Sequence, residues 1–109
     1  MIAGPYLSGA ADDDARRANL RRLNDAALAV HRKGHTPIVG VNAALPVLDA
    51  AGVDAFDPMM MDICLSLADR CDAVLRIGGP SNGADREVER IRANGGAVYH
   101  ALDDIPEAH

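Results

Sequence analysis

A serine, a glycine and a glutamate at fixed spacing are the residues most able to do chemistry in this sequence. Ser81, Gly83 and Glu87 follow two glycines, Gly78 and Gly79, that end an apolar run. A glycine-rich loop before a helix leaves backbone N–H groups free at the positive helix end, which suits a phosphate or another anion. Because Glu87 lies four residues after Gly83, both would share one helix face. A carboxylate there can contact a sugar whose phosphate binds the loop.

This loop is not one of the standard phosphate-binding motifs. It has no Gly-Lys-Ser/Thr, and its glycines do not fit G-x-G-x-x-G, so it is neither a P-loop nor a dinucleotide fingerprint. Ser81 or Asn82 can cap the helix that follows. The alternative for Glu87 is an ordinary surface charge that pairs with Arg90 three residues later.

The elements that would position these residues alternate along the chain. We expect strands at residues 1–4, 36–41, 73–77 and 97–102. We expect helices at residues 12–32, 44–51, 58–69 and 82–94. Such alternation predicts a parallel sheet with right-handed crossovers. Residues 103–109 are expected to form a partly disordered tail.

Composition excludes several classes of function. The 109 residues predict one domain, residues 1–109, with 49% apolar residues, a net charge of −5 and no basic patch, so nucleic acid is not an expected partner. We find neither a signal peptide nor a membrane-spanning run, and expect a cytoplasmic protein without membrane contact.

Cys64 and Cys71 would lie roughly 10 Å apart on one helix, too far for a disulfide. No metal-ligand spacing is found among the histidines, which are His31, His35, His100 and His109.

Several segments together resemble the nucleoside 2-deoxyribosyltransferase-like superfamily, in particular its small, largely uncharacterised branch. They are Ile2-Ala3-Gly4-Pro5-Tyr6, Lys33-Gly34-His35-Thr36-Pro37-Ile38, Arg70-Cys71-Asp72-Ala73-Val74-Leu75, Ser81-x-Gly83-Ala84-x-x-Glu87 and Gly95-Gly96-Ala97-Val98-Tyr99. The resemblance implies an α/β, flavodoxin-like or Rossmannoid three-layer fold, with a parallel sheet of about four strands in the order 2-1-3-4. Ligands of such sheets bind beyond the carboxyl ends of the strands, where the strand order reverses.

The resemblance also implies roles for individual residues. Glu87 falls on the position of the nucleophile that displaces the base, and Ser81 falls where phosphate-preferring members carry a serine. Asp62 is the candidate for the second catalytic acid, although Cys64 occupies the expected spacing of eight residues before Asp72. The expected substrate-binding residues are Gly4, Pro5, Tyr6, Gly78, Gly79, Ser81, Asn82 and Gly83.

The implied function is cleavage or transfer at the N-glycosidic bond of a (deoxy)nucleoside 5′-monophosphate, without a cofactor. One alternative is a nucleotide-binding module without catalysis, and another is a structural protein that keeps only the fold.

Tyr6 would either stack on a base or pack its own loop. Arg76, in a buried strand, needs a partner, for which an acidic neighbour or a subunit interface is expected. We also expect a homodimer or a higher homo-oligomer, because residues 43–61 are rich in Ala and Met and the resembling enzymes complete their sites between subunits.

Overall fold

The computed structural model describes residues 1–108 and shows a mixed α/β chain that alternates short strands with helices. The strands are β1 (Ile2–Ala3), β2 (Ala73–Arg76) and β3 (Ala97–Tyr99). The helices are α1 (Asp13–Arg32), α2 (Gly40–Ala51), α3 (Met59–Ala68) and α4 (Asn82–Ala93), and a 3-10 turn covers Leu102–Asp104. Within the described chain, no helix is both long and apolar enough to cross a bilayer.

The three strands form one parallel sheet in the order β1-β2-β3. The register places Ile2 beside Leu75, and Leu75 beside Tyr99. The prediction of a strand at residues 36–41 is wrong in extent, because only one parallel bridge forms there, between Val39 and Ile2. Pro37 has no N–H to donate to a ladder, and helix α2 already begins at Gly40. The predicted helix at residues 44–51 is therefore also wrong in extent, because α2 begins four residues earlier, at Gly40.

Apolar side chains cover both faces of this sheet. On one face, Ala3 and Val74 pack with Val88 and Ile91 of α4. On the other face, a second cluster joins the strands to α1 and is formed by Ile2, Leu75, Leu23 and Val30. Alternation of side chains along each strand sends neighbouring residues to opposite faces. Burial on both faces explains the nearly continuous apolar run of β2.

The carboxyl-terminal segment packs on the protein, and the expectation of a disordered tail is wrong for residues 103–108. Ile105 is buried in the cluster with α1. The Ala108 N–H donates to the Lys33 carbonyl at 2.8 Å, and Lys33 Nζ donates to the Ile105 carbonyl at 2.8 Å. The buried Ile105 side chain and these two hydrogen bonds therefore hold the segment against the protein. His109 lies outside the described residues.

Candidate functional site

A cavity of about 460 Å³ opens at the carboxyl edge of the sheet, beyond the ends of β1 and β2. The helices α2, α3 and α4 all contribute their first turns to its wall. The cavity brings together seven of the predicted site residues, which are Gly4, Tyr6, Asp62, Ser81, Asn82, Gly83 and Glu87. Each helix N-terminus carries partial positive charge, which favours an anionic group at that turn.

Three other predicted residues lie elsewhere. Pro5, Gly78 and Gly79 line a separate cavity of about 360 Å³, together with Asn19 and Arg22 of α1. Gly78 has a φ of +76°, and a Cβ on it would lie 2.8 Å from Pro5 Cδ. The two loops therefore contact each other at Gly78 and Pro5, and the glycine pair does not reach the larger cavity.

Ser81 is the residue that caps helix α4. Its Oγ accepts a hydrogen bond from the Ala84 N–H at 3.2 Å, which leaves the hydroxyl proton available to a ligand. The amides of Asn82 and Gly83 have no hydrogen-bond partner in the described chain. The first turn of α4 thus presents three donors near the cavity.

The loop before α4 is held by Arg76. Its Nε donates to Asp85 Oδ1 at 3.1 Å, and its Nη2 donates to the Gly79 carbonyl at 2.8 Å. The side chain is only 12% exposed, so the charge is removed from most of the solvent and needs these partners. The expected acidic neighbour of Arg76 is confirmed as Asp85.

Glu87 is buried, and the alternative of a surface charge paired with Arg90 is wrong. The residue is 7% exposed, while Arg90 pairs with Asp69 at 2.8 Å instead. No residue in the 1–108 range donates a hydrogen bond to the Glu87 carboxylate. Burial raises the pKa of Glu87 to about 7, although the positive charges of the Met1 amino group and Arg76 act in the opposite direction.

Gly40 and Cys64 form the socket around that carboxylate. A Cβ on Gly40 would lie 2.8 Å from Cys64 Sγ and 3.2 Å from Glu87 Oε2, so any larger residue would displace one of them. Burial and the neighbouring charge of Glu87 raise the pKa of the Cys64 thiol to about 12. Cys64 therefore stays protonated at neutral pH and is not a thiolate nucleophile.

Asp62 is an exposed residue in the first turn of α3 and lines the same cavity. Of the two acid candidates on α3, Asp62 is exposed, whereas Cys64 is buried and burial raises the pKa of its thiol.

Tyr6 is half-buried between the protein core and the cavity. It packs against the cluster that joins α2 and α3, and it also lines the cavity. Its backbone carbonyl accepts a hydrogen bond from Asn19 Nδ2 at 2.9 Å, which fixes the loop to α1. The ring is thus held at the cavity wall, where a flat ligand group can contact it.

Arg86 lines the cavity and is not identified from the sequence. Arg86 is the one cationic side chain that lines this cavity in the described chain, and no ion-pair partner is found for it there. Arg86 directly precedes Glu87 in the first half of α4, and this position in the sequence could have indicated that Arg86 lies near the cavity. Phe56 is 70% exposed at the cavity and lies in a segment without regular structure.

The described residues contain no group of three or more His, Cys, Asp or Glu side chains arranged to hold a metal ion. The polar side chains that line the cavity are three hydroxyls, one amide, one guanidinium and three carboxyl groups, from Tyr6, Ser8, Ser81, Asn82, Arg86, Asp57, Asp62 and Glu87.

Comparison of the chain with protein-family models, with curated proteins and with solved structures yields no match in any of the three.

Proposed function

We propose that this protein cleaves or transfers the N-glycosidic bond of a nucleoside 5′-monophosphate, with Glu87 as the nucleophile. The observation that carries the proposal is a buried carboxylate, without a hydrogen-bond donor among residues 1–108, that faces a cavity walled by three helix N-termini. No fully buried side-chain oxygen of the described chain lacks a partner, so the Glu87 oxygens reach the cavity, and a carboxyl group of raised pKa at a cavity is typical of a functional site. In this proposal, the domain is a reduced flavodoxin-like three-layer fold. Its sheet has three strands, and the strand expected at residues 36–41 is represented by a single bridge at Val39.

The phosphate binds at the first turn of α4. The amides of Asn82 and Gly83 and the hydroxyl of Ser81 are available as donors there, and Arg86 supplies a positive charge. A phosphate accepts hydrogen bonds at all of its oxygens, so this set of donors suits it. Anchoring the phosphate places the sugar near Glu87, one turn further along the same helix.

The reaction proceeds in two displacements. The ionised Glu87 attacks the anomeric carbon, the bond from that carbon to the base nitrogen breaks, and the departing base takes its electron pair and a proton from Asp62. In the second step Asp62 takes a proton from water, or from an acceptor base, whose lone pair displaces Glu87 from the sugar. Atoms and charges balance without a cofactor, and the cavity volume of about 460 Å³ is in the range of small-molecule sites.

Release of free base from nucleoside monophosphates, followed by chromatography, tests the proposal. The expected result is base release by the wild-type protein, together with a rise in melting temperature when nucleotide is added. A rise in melting temperature without base release would favour the alternative of a binding module. No effect of any nucleotide on melting temperature or on base release would contradict both.

Ser81→Asp is expected to weaken monophosphate binding at least about tenfold, because a carboxylate would repel the phosphate at the first turn of α4. Asp remains a good helix cap, so the fold should be preserved. Ser81→Asn is the matched control, since it also caps the helix but adds no charge. Calorimetry measures both affinities, and equal affinities for the wild type and the Asp variant would remove the phosphate from this position.

We also propose a homodimer formed through the outer surface of α2 and the segment that follows it. Val47 is 48% exposed and Phe56 is 70% exposed, and the helix carries only one charged residue, Asp49. Light scattering should give about twice the chain mass of 11.5 kDa at micromolar concentration. Phe56→Asp should lower that mass towards the monomer, whereas Leu28→Asp, an equally drastic change on α1, should not. A wild-type mass near 11.5 kDa would rule out the dimer.

A further inference from the structure

The cavity of about 460 Å³ is lined by a hydrogen-bond acceptor, the Glu87 carboxylate, to which no described residue donates. Glu87 is only 7% exposed, and it lines the cavity. One of its oxygens, Oε2, lies 3.2 Å from the point that a Cβ on Gly40 would occupy. This oxygen is therefore beside the first residue of helix α2.

The first turn of α2 leaves donors without acceptors at the same place. Its cap residue is Val39, whose side chain makes no capping hydrogen bond. The amides of Gly40 and Val41 have no partner in the described chain, whereas the Asn42 amide donates to the Val39 carbonyl. Val41 also lines the cavity.

A ligand group that satisfies both sides must donate a hydrogen bond to Glu87 and accept one from the α2 amide. A hydroxyl does both with a single atom. A phosphate only accepts and would be repelled by the carboxylate, and an ammonium only donates. A ligand hydroxyl therefore fits this wall, whereas a phosphate or an ammonium does not.

We infer that this wall binds the 2′-hydroxyl of a ribose, and that the protein prefers ribonucleotides to 2′-deoxyribonucleotides. The inference rests on the proposed function, in which the other oxygen of Glu87 attacks the anomeric carbon. The 2′-carbon is bonded directly to that carbon, so its hydroxyl is the one that reaches Oε2. Hydrogen bonds from a carboxylate nucleophile to the neighbouring hydroxyl strengthen along the path of glycoside cleavage.

Calorimetric titration of the four ribonucleoside 5′-monophosphates and their four 2′-deoxy counterparts tests the inference on the wild-type protein. Loss of the hydroxyl leaves Glu87 and the α2 amide unpaired again, so the deoxy compounds should bind about tenfold more weakly. Equal affinity within a pair would overturn the inference while leaving nucleotide binding intact. The absence of binding by all eight compounds would overturn the proposed function itself.

Substitution of Val41 isolates the contribution of the amide. Val41→Pro removes the N–H within the first helical turn, where proline is tolerated, and Val41→Ala shortens the side chain but keeps the N–H. The Pro variant should reduce the preference for ribose to less than about threefold, and the Ala variant should retain it. Circular dichroism checks that both variants are folded. A Pro variant that folds and keeps the full preference would contradict the role of α2.

Discussion

Glu87→Gln is expected to lose nearly all base release while keeping nucleotide affinity within a few-fold of the wild type. The amide has almost the size of the carboxylate, so the socket formed by Gly40 and Cys64 still accommodates it. It cannot form the covalent bond to the sugar, and that bond exists only along the reaction path. The rate constant of base release should therefore fall by at least about a thousandfold, while binding changes little.

Glu89→Gln is the matched control for this substitution. Glu89 lies two residues away on α4, with its side chain 68% exposed and paired with Arg92. Its neutralisation makes the same change of net charge but leaves the cavity unaltered. Single-turnover kinetics and calorimetry should show wild-type behaviour for Glu89→Gln. Full base release by Glu87→Gln would contradict the role of Glu87.

The same Glu87→Gln substitution is expected to stabilise the protein above pH 7. The pKa of Glu87 is about 7 in the folded chain, against an ordinary value of 4.5. Between these values the folded chain binds more protons than the unfolded chain, so the free energy of unfolding of the wild type falls as pH rises through this window. Each pH unit of the interval corresponds to about 1.4 kcal/mol, so ionised Glu87 costs about 3 kcal/mol at pH 8.

Denaturant unfolding at pH 4, 6 and 8 measures this cost. Gln does not ionise, so the variant should match the wild type at pH 4 and exceed its stability at pH 8 by up to about 3 kcal/mol. Glu89→Gln is again the control, because its side chain is 68% exposed and lies outside the cavity. A Glu87→Gln variant less stable than the wild type at pH 8 would mean that the carboxylate has a stabilising partner in the protein.

Local sequence patterns predicted the extents of α1, α3 and α4 and the α4 cap. The buried residues of α1 are Leu23 and Val30, which are seven positions apart and therefore share one helix face. Pro58 directly precedes α3, and Ser81 caps α4 with its own side chain. These features depend on residues a few positions apart, so the order of residue types is sufficient to indicate them.

Features set by distant parts of the chain could not be predicted in this way. The burial of Glu87 depends on Gly40 and Cys64, which are 47 and 23 residues away in the sequence. The reduction of the expected second strand to a bridge depends on where α2 begins, and the packing of Ile105 depends on α1. The division of the glycine loop between two cavities follows from the contact of Gly78 with Pro5.

Covalent trapping of the sugar on Glu87 tests the central claim most directly. A 2′-fluoro analogue of a nucleoside 5′-monophosphate slows hydrolysis of the sugar–enzyme bond, so the intermediate should accumulate when the analogue is present in excess. Peptide mass spectrometry should then find the mass of the fluorinated sugar phosphate on the peptide that contains Glu87, and no adduct in the Glu87→Gln variant. Base release by the wild type with no adduct at Glu87, or with the adduct on another residue, would contradict the account.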